Sequence, residues 1–132
     1  MASSGEMNLD TLIASMQPQM HESVFVFATV PPDFGWQSLN PIMLFKEAEG
    51  LSLILNQGVS DAAGIEYEFP CRMITLNIHS SLDAVGFLAR ITTQLASLDM
   101  GVNPVSGFYH DHLFVPVDRA DEAMRALVAM SR

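Results

Sequence analysis

The sequence predicts an α+β fold in which split β-α-β units contribute to an antiparallel sheet, and three observations carry that prediction. Ile74, Leu76 and Ile78 alternate with Thr75, Asn77 and His79, the period of a strand with one buried face. Ala84, Leu88, Ile91, Leu95 and Leu98 then recur at spacings of four and three, one apolar stripe along a helix. Residues 102–109 and 112–117 read as two strands folded back on each other at His110-Asp111, and residues 119–131 supply a second helix.

The remaining elements follow from local chemistry. Asn8 can cap a short first helix lined by Leu9, Leu12, Ile13, Met16 and Met20, which Pro18 ends near Gln17. Residues 23–30, SVFVFATV, are β-branched and aromatic with little alternation, as in a strand covered on both faces. Pro31, Pro32, Gly35 and Asn40-Pro41 mark an irregular connection anchored by Trp36. Residues 42–46 and 51–56 predict a hairpin around the 47–50 turn, and residues 58–64 a short helix with a glycine at each end. In the second half, Ser80 and Ser81 offer capping hydroxyls, Asp83 lies in the first turn, and Gly101 is expected to stop the helix. Phe108 and Tyr109, adjacent on the same expected strand, should face opposite sides, one of them in the core.

Residues 23–64 and 71–131 are weak copies of one another, each with a strand, a connection, a hairpin and a helical segment. The connection is a full helix in the second copy and a Pro-rich loop in the first. Six strands fall short of the eight that two complete units need. We therefore expect two incomplete halves, residues 1–66 and 67–132, in one compact unit, either sharing one sheet or completed by a second copy of the chain.

At 132 residues the chain has the length of a single compact unit, or of two very small ones sharing a core. Its apolar fraction of 49% supplies an ample core, and its charged fraction of 16%, below the usual quarter, points to a partner or self-association. A net charge of −9 with only six lysines and arginines excludes nucleic-acid binding and an anionic membrane surface. No apolar run approaches the roughly 20 residues that span a bilayer. The opening MASSGEMN lacks the basic and apolar segments of a signal peptide, and the single cysteine fits a reducing compartment. The expected location is the cytoplasm.

Few residues invite chemistry. His110 and His112, at i and i+2 on a strand, could share a metal with Asp111 and a nearby His79, but His-Asp at a hairpin apex is also ordinary turn chemistry, and that structural role is favoured. Cys71, directly after Pro70, reads as a small buried thiol rather than a nucleophile. Ser80 and Ser81 lack a G-x-S-x-G elbow, and no phosphate loop, C-x-x-C pair or H-E-x-x-H helix occurs. Arg72 and Arg90 have no catalytic context. The reading is therefore non-enzymatic, with no cofactor and no metal.

The order of elements, with Asp83-Ala84-Val85-Gly86 at the strand-to-helix turn and MGVNPVSG after the helix, resembles an ACT domain. HSSLDAVG together with YHDHLFVP resembles a group of small stand-alone bacterial ACT-like proteins, and FKEAEGLSLIL is similar to that group's first hairpin. The resemblance implies a ferredoxin-like βαββαβ sandwich with helices on one face of the sheet. It also implies a regulatory module that binds a small molecule, often an amino acid, between two units, and hence a homodimer. The ligand positions it implies are Asp83, Val85 and Gly86 in the turn, with Asn103 and Val105 in the following strand. Val85 stands where the usual turn carries a proline.

Elementary chemistry is compatible with that site. A helix N-terminus offers unpaired amides and partial positive charge to a carboxylate. Gly86 keeps the approach clear, Asn103 can both donate and accept, and Asp83 can pair with an ammonium group. The same residues also suit a purely structural turn, in which Asp83 caps and Gly86 permits close packing. A protein-interaction module without a small ligand is accordingly the competing functional class.

Overall fold

The computed structural model describes residues 8–78 and 85–131. Four α-helices occur among them: α1 (Leu9–Ser15), α2 (Gln57–Ala63), α3 (Phe87–Ala96) and α4 (Ala120–Met130). The strands are β1 (Pro18–Val30), β2 (Met43–Glu47), β3 (Gly50–Asn56), β4 (Glu68–Leu76), β5 (Asn103–Ser106) and β6 (Asp111–Pro116). They form a six-stranded sheet in the order β2-β3-β1-β4-β6-β5, giving the mixed α+β class expected. Two compact units divide the chain: residues 1–22 with 72–132, and residues 23–71. Both β1 and β4 contribute residues to each.

The unit of residues 23–71 is built on a hairpin. Its β2 and β3 pair antiparallel from Met43↔Ile54 to Glu47↔Gly50, and β3 pairs with β1 from Phe25↔Asn56 to Val30↔Leu51. Gly50 takes φ 156°, and a Cβ there would lie 2.8 Å from the Val30 carbonyl oxygen, so the close approach of the two strands requires glycine. Val26, Leu53 and Leu55 are fully buried, with Leu39, Trp36, Ile65 and Tyr67 packed over them. A 3-10 turn at Trp36–Leu39 does this work in the Pro-rich connection. The Asn56 side chain caps α2 by accepting from the Gly58 and Val59 amides at 2.9 and 3.3 Å.

The unit of residues 1–22 and 72–132 has a helical core. The Asn8 side chain accepts from the Thr11 amide at 3.0 Å and starts α1, as its sequence predicts. Leu12 and Met16 of this segment pack with Ile74 and Leu76 of β4, Ile91 and Leu95 of α3, Leu113 and Val115 of β6, and Leu127 of α4. Burial of this kind contributes about 25 cal/mol per Å² of apolar surface and dominates the stability of the unit.

Several sequence expectations need correction. Strand β1 begins at Pro18, not residue 23, so Met20 lies on a strand rather than on α1. Gln19 is held sideways: the Asn77 side-chain amide donates to its Oε1 at 3.0 Å. The helix after β4 starts at Phe87, a buried residue outside the expected stripe, and it is left-handed Asp99 (φ 57°), not Gly101, that follows it. Arg119 holds that end, donating to the carbonyls of Leu98 and Asp99 at 2.7 and 2.8 Å. The last hairpin turns over residues 107–110, closed by Gly107 N–H to the His110 carbonyl at 2.9 Å, and Asp111 belongs to β6. Phe108 and Tyr109 therefore lie in the turn and are both exposed, stacked edge to face on each other. Neither enters the core.

Candidate functional site

The turn into α3 is the first feature of the candidate site. Gly86 occupies the N-cap with φ 89°, a conformation that L side chains rarely adopt, and its carbonyl accepts from the Arg90 amide at 2.9 Å. Having no side chain, Gly86 leaves the first-turn amides of α3 uncapped from the N-cap position. Among the described residues, a Cβ built on it would meet Leu9 Cδ2 at 3.7 Å. The preceding Val85 is 84% exposed. Asp83, Ser80, Ser81 and His79 lie outside the described residues.

The other expected site residues fall on β5. Asn103 is exposed and pairs in register with Phe114, while Val105 is half-buried opposite His112. Strand β5 is outermost in the sheet, with β6 between it and β4. The described residues of the expected site thus belong to one compact unit, and β4, the strand before the turn, is separated from β5 in the sheet by β6.

The histidine cluster is arranged differently from the sequence expectation. His110 sits in the 107–110 turn and His112 on β6, so the two do not share a strand face; their ring centroids are 6.4 Å apart. Among the described residues, no group of three histidine, cysteine or acidic side chains is placed to hold a metal ion. His112 instead turns to Thr75, whose Oγ1 lies 2.9 Å from its Nδ1 and 2.8 Å from His21 Nε2. Burial, followed by the nearby His110 and His21, pushes the His112 pKa down, and Asp111 opposes them. Sequence reasoning missed this contact of three strands, although the alternation of β4 already placed Thr75 opposite the core-facing Ile74 and Leu76. Asp111, nearly buried, accepts from the Ser106 hydroxyl at 2.6 Å and ties the hairpin together.

Cys71 is fully buried, its Sγ 3.3 Å from the Phe25 carbonyl oxygen, and burial raises its pKa to about 12. A thiol so protonated at neutral pH is a poor nucleophile.

Family models described as ACT domain match residues 4–72 and residues 68–129. The chain belongs to the ACT domain family. It is 38% identical to a solved Vibrio cholerae protein of unknown function, described as a possible transport protein, over 94% of this chain and 96% of that one, with a TM-score of 0.86. A protein from Agrobacterium tumefaciens is similar at a TM-score of 0.71 and 15% identity, over 88% of this chain and 89% of that one. The ligand-free regulatory subunit of aspartate kinase from Thermus thermophilus is similar at a TM-score of 0.67 and 11% identity, covering 89% and 97% of the two chains. None of the curated proteins compared with the sequence matches it. ACT domains are in general small-molecule-binding regulatory modules, and this one has a ferredoxin-like fold. No helix among the described residues is long and apolar enough to cross a membrane.

Proposed function

We propose that this ACT-domain protein is a non-catalytic, cytoplasmic regulatory module that binds an amino acid at the turn into α3. The observation that supports this reading is the Gly86 N-cap: a left-handed residue with no capping side chain, in front of a ten-residue helix and beside an exposed Val85. The first-turn amides and the partial positive charge of the helix end suit an α-carboxylate. Asn103 and Val105, on the outermost strand β5, supply a polar contact and an apolar wall when a second copy of the chain lies alongside, making the working form a homodimer. Asp83 is the partner for the α-ammonium group. In this reading residues 1–66 and 67–132 are tandem ACT-like halves, and only the second carries a ligand turn.

A thermal-shift screen of the full chain against the twenty amino acids tests this. A ligand at 100 times its Kd stabilises the native state by about 2.7 kcal/mol, which moves the midpoint by several degrees. The control is Val85→Glu. It places a negative charge at the amides without touching the core, and the expected result is loss of the shift with an unchanged midpoint for the free protein. Substitution of Gly86 is a poorer control, because φ 89° strains any side chain there. A flat screen would sink the reading.

One observation favours a second reading, an interaction module without a small ligand. Strand β2 is outermost at the other end of the sheet, and its Phe45 is 65% exposed. An apolar side chain on an edge strand is an invitation to pair with another protein.

A further inference from the structure

Three side chains from three neighbouring strands meet in a line that the proposed ligand site does not use. Thr75 of β4 is buried, at 6% exposure, and its Oγ1 lies between His21 Nε2 of β1 at 2.8 Å and His112 Nδ1 of β6 at 2.9 Å. In the sheet order β4 stands between β1 and β6, and all three residues belong to the unit of residues 1–22 and 72–132.

A hydroxyl has one proton to give, and a neutral imidazole has one N–H and one bare nitrogen. Thr75 therefore donates to one ring and accepts from the other. Two arrangements satisfy every atom. In one, His21 Nε2–H donates to Oγ1 and Oγ1–H donates to the bare Nδ1 of His112, so both rings carry their proton on Nε2. In the other, His112 Nδ1–H donates to Oγ1 and the hydroxyl donates to His21 Nε2, so both rings carry it on Nδ1. Mixed tautomers leave either the hydroxyl proton of the buried Thr75 or the facing nitrogen of a half-buried ring unpaired.

One added proton fits the same scheme, because the charged ring donates and the hydroxyl turns towards the neutral one. A second does not. Both facing nitrogens then donate, the hydroxyl proton has no ring to accept it, and two like charges face each other across one oxygen. We propose that His21–Thr75–His112 is a one-proton lock, joining β1, β4 and β6 while it carries no proton or one, and opening when a second arrives.

The surroundings agree. On the His112 side stand His110 in the adjoining turn and Asp111 on the same strand, and their effects on its charge oppose one another. On β4, Arg72 Nε donates to the His21 backbone carbonyl at 3.0 Å and ties that residue to β4 a second time. Strand β5, with the sequence NPVS, brings no titratable group and places Val105 opposite His112. Burial, and then His110 and His21, thus act against a proton on His112.

The test is 15N and 13C NMR of the histidine rings in the full chain from pH 8.5 to 4.5, with amide exchange followed alongside. The expected result is the same tautomer on His21 and His112 at high pH, and two protonation steps separated by more than about one pH unit. His21→Phe should raise the His112 midpoint towards its ordinary value, and exchange of β6 amides should speed up across the second step. Thr75→Ser keeps the hydroxyl and should keep the matched tautomers if Thr75→Val fails to fold; where Thr75→Val does fold, the match should be lost. Opposite tautomers in the native protein, independent titration of the two rings at one pH, or unchanged β6 protection through the second step would each overturn the proposal.

Discussion

The two compact units cover their strands in different ways. In the unit of residues 1–22 and 72–132, Leu12, Ile91, Leu95 and Leu127 come from three helices and are all fully buried. In the unit of residues 23–71, a 3-10 turn carrying Trp36 and Leu39, with Ile65 and Tyr67 from the stretch after α2, covers Val26, Leu53 and Leu55. A β-sheet face needs apolar cover, but it does not need a helix. What the first of these units gains from its helix is a helix start. No α-helix follows β1, since Pro31 and Pro32 open the connection, and the start of α2 is already capped by the Asn56 side chain. The turn at Gly86 is left uncapped from its N-cap. Proposed binding therefore concentrates in one unit, and one ligand per chain is the stoichiometry it implies.

The largest effects should come from attacking either core. Leu95→Ala removes a fully buried side chain and should cost about 2–5 kcal/mol, read by denaturant unfolding. Leu53→Ala should cost a similar amount in the other unit. Because β1 and β4 each contribute residues to both units, we expect both variants to unfold in one transition; two separate transitions would mean that the units are energetically independent. Gly50→Ala comes next. Its Cβ would collide with the Val30 carbonyl, and the positive φ adds strain, so a loss of roughly 1–3 kcal/mol is expected.

The difference between the units was partly legible in the sequence. The hairpin, the Asn8 cap, the short helix ending near Gly64 and the Pro-rich connection all follow from local rules, because the residues that decide them are sequence neighbours. The family could be recognised from the turn and from the YHDHLFVP strand. What could not be read depends on partners distant in sequence. The stretch Gln19–Glu22 lies before the strand expected from residue 23, with Met20 expected on the first helix, yet it is part of β1, its side chains and carbonyls being engaged by Arg72, Thr75 and Asn77. His112 looked like one of a pair with His110 and is bonded to Thr75, 37 positions away. Arg119 has no sequence signature as the residue that closes the end of α3, about 20 residues before it.

That closure and the histidine line offer intermediate effects. Arg119→Met keeps the aliphatic stem and removes the donors to the Leu98 and Asp99 carbonyls, for an expected loss of about 1–2 kcal/mol. Acidification should also weaken the fold through His112. Its pKa is lowered in the folded state, so the unfolded chain takes up a proton first as the pH falls below the ordinary value of 6.5. The stability it contributes is complete above that pH and is lost as the pH drops towards the folded value. The thermal midpoint should therefore fall between pH 7 and 5 more steeply in the native protein than in His112→Phe; equal slopes would remove His112 from the account.

The smallest effect on stability carries the most information about function. Val85 is 84% exposed, so Val85→Glu should change the unfolding free energy by no more than about 0.5 kcal/mol. At the start of α3 the new carboxylate even favours the helix dipole. For a ligand carboxylate it is a competitor at the same amides and a like charge beside them, and the expected loss of affinity is at least tenfold, about 1.4 kcal/mol. Asn103→Leu on β5 should weaken the same ligand without affecting unfolding. If Val85→Glu abolishes binding and Asn103→Leu leaves it intact, the turn alone holds the ligand and the edge strand is free for another partner. If both weaken it, and dilution below the dimer's dissociation constant weakens it further, the site is shared between two copies of the chain, the turn coming from one and β5 from the other.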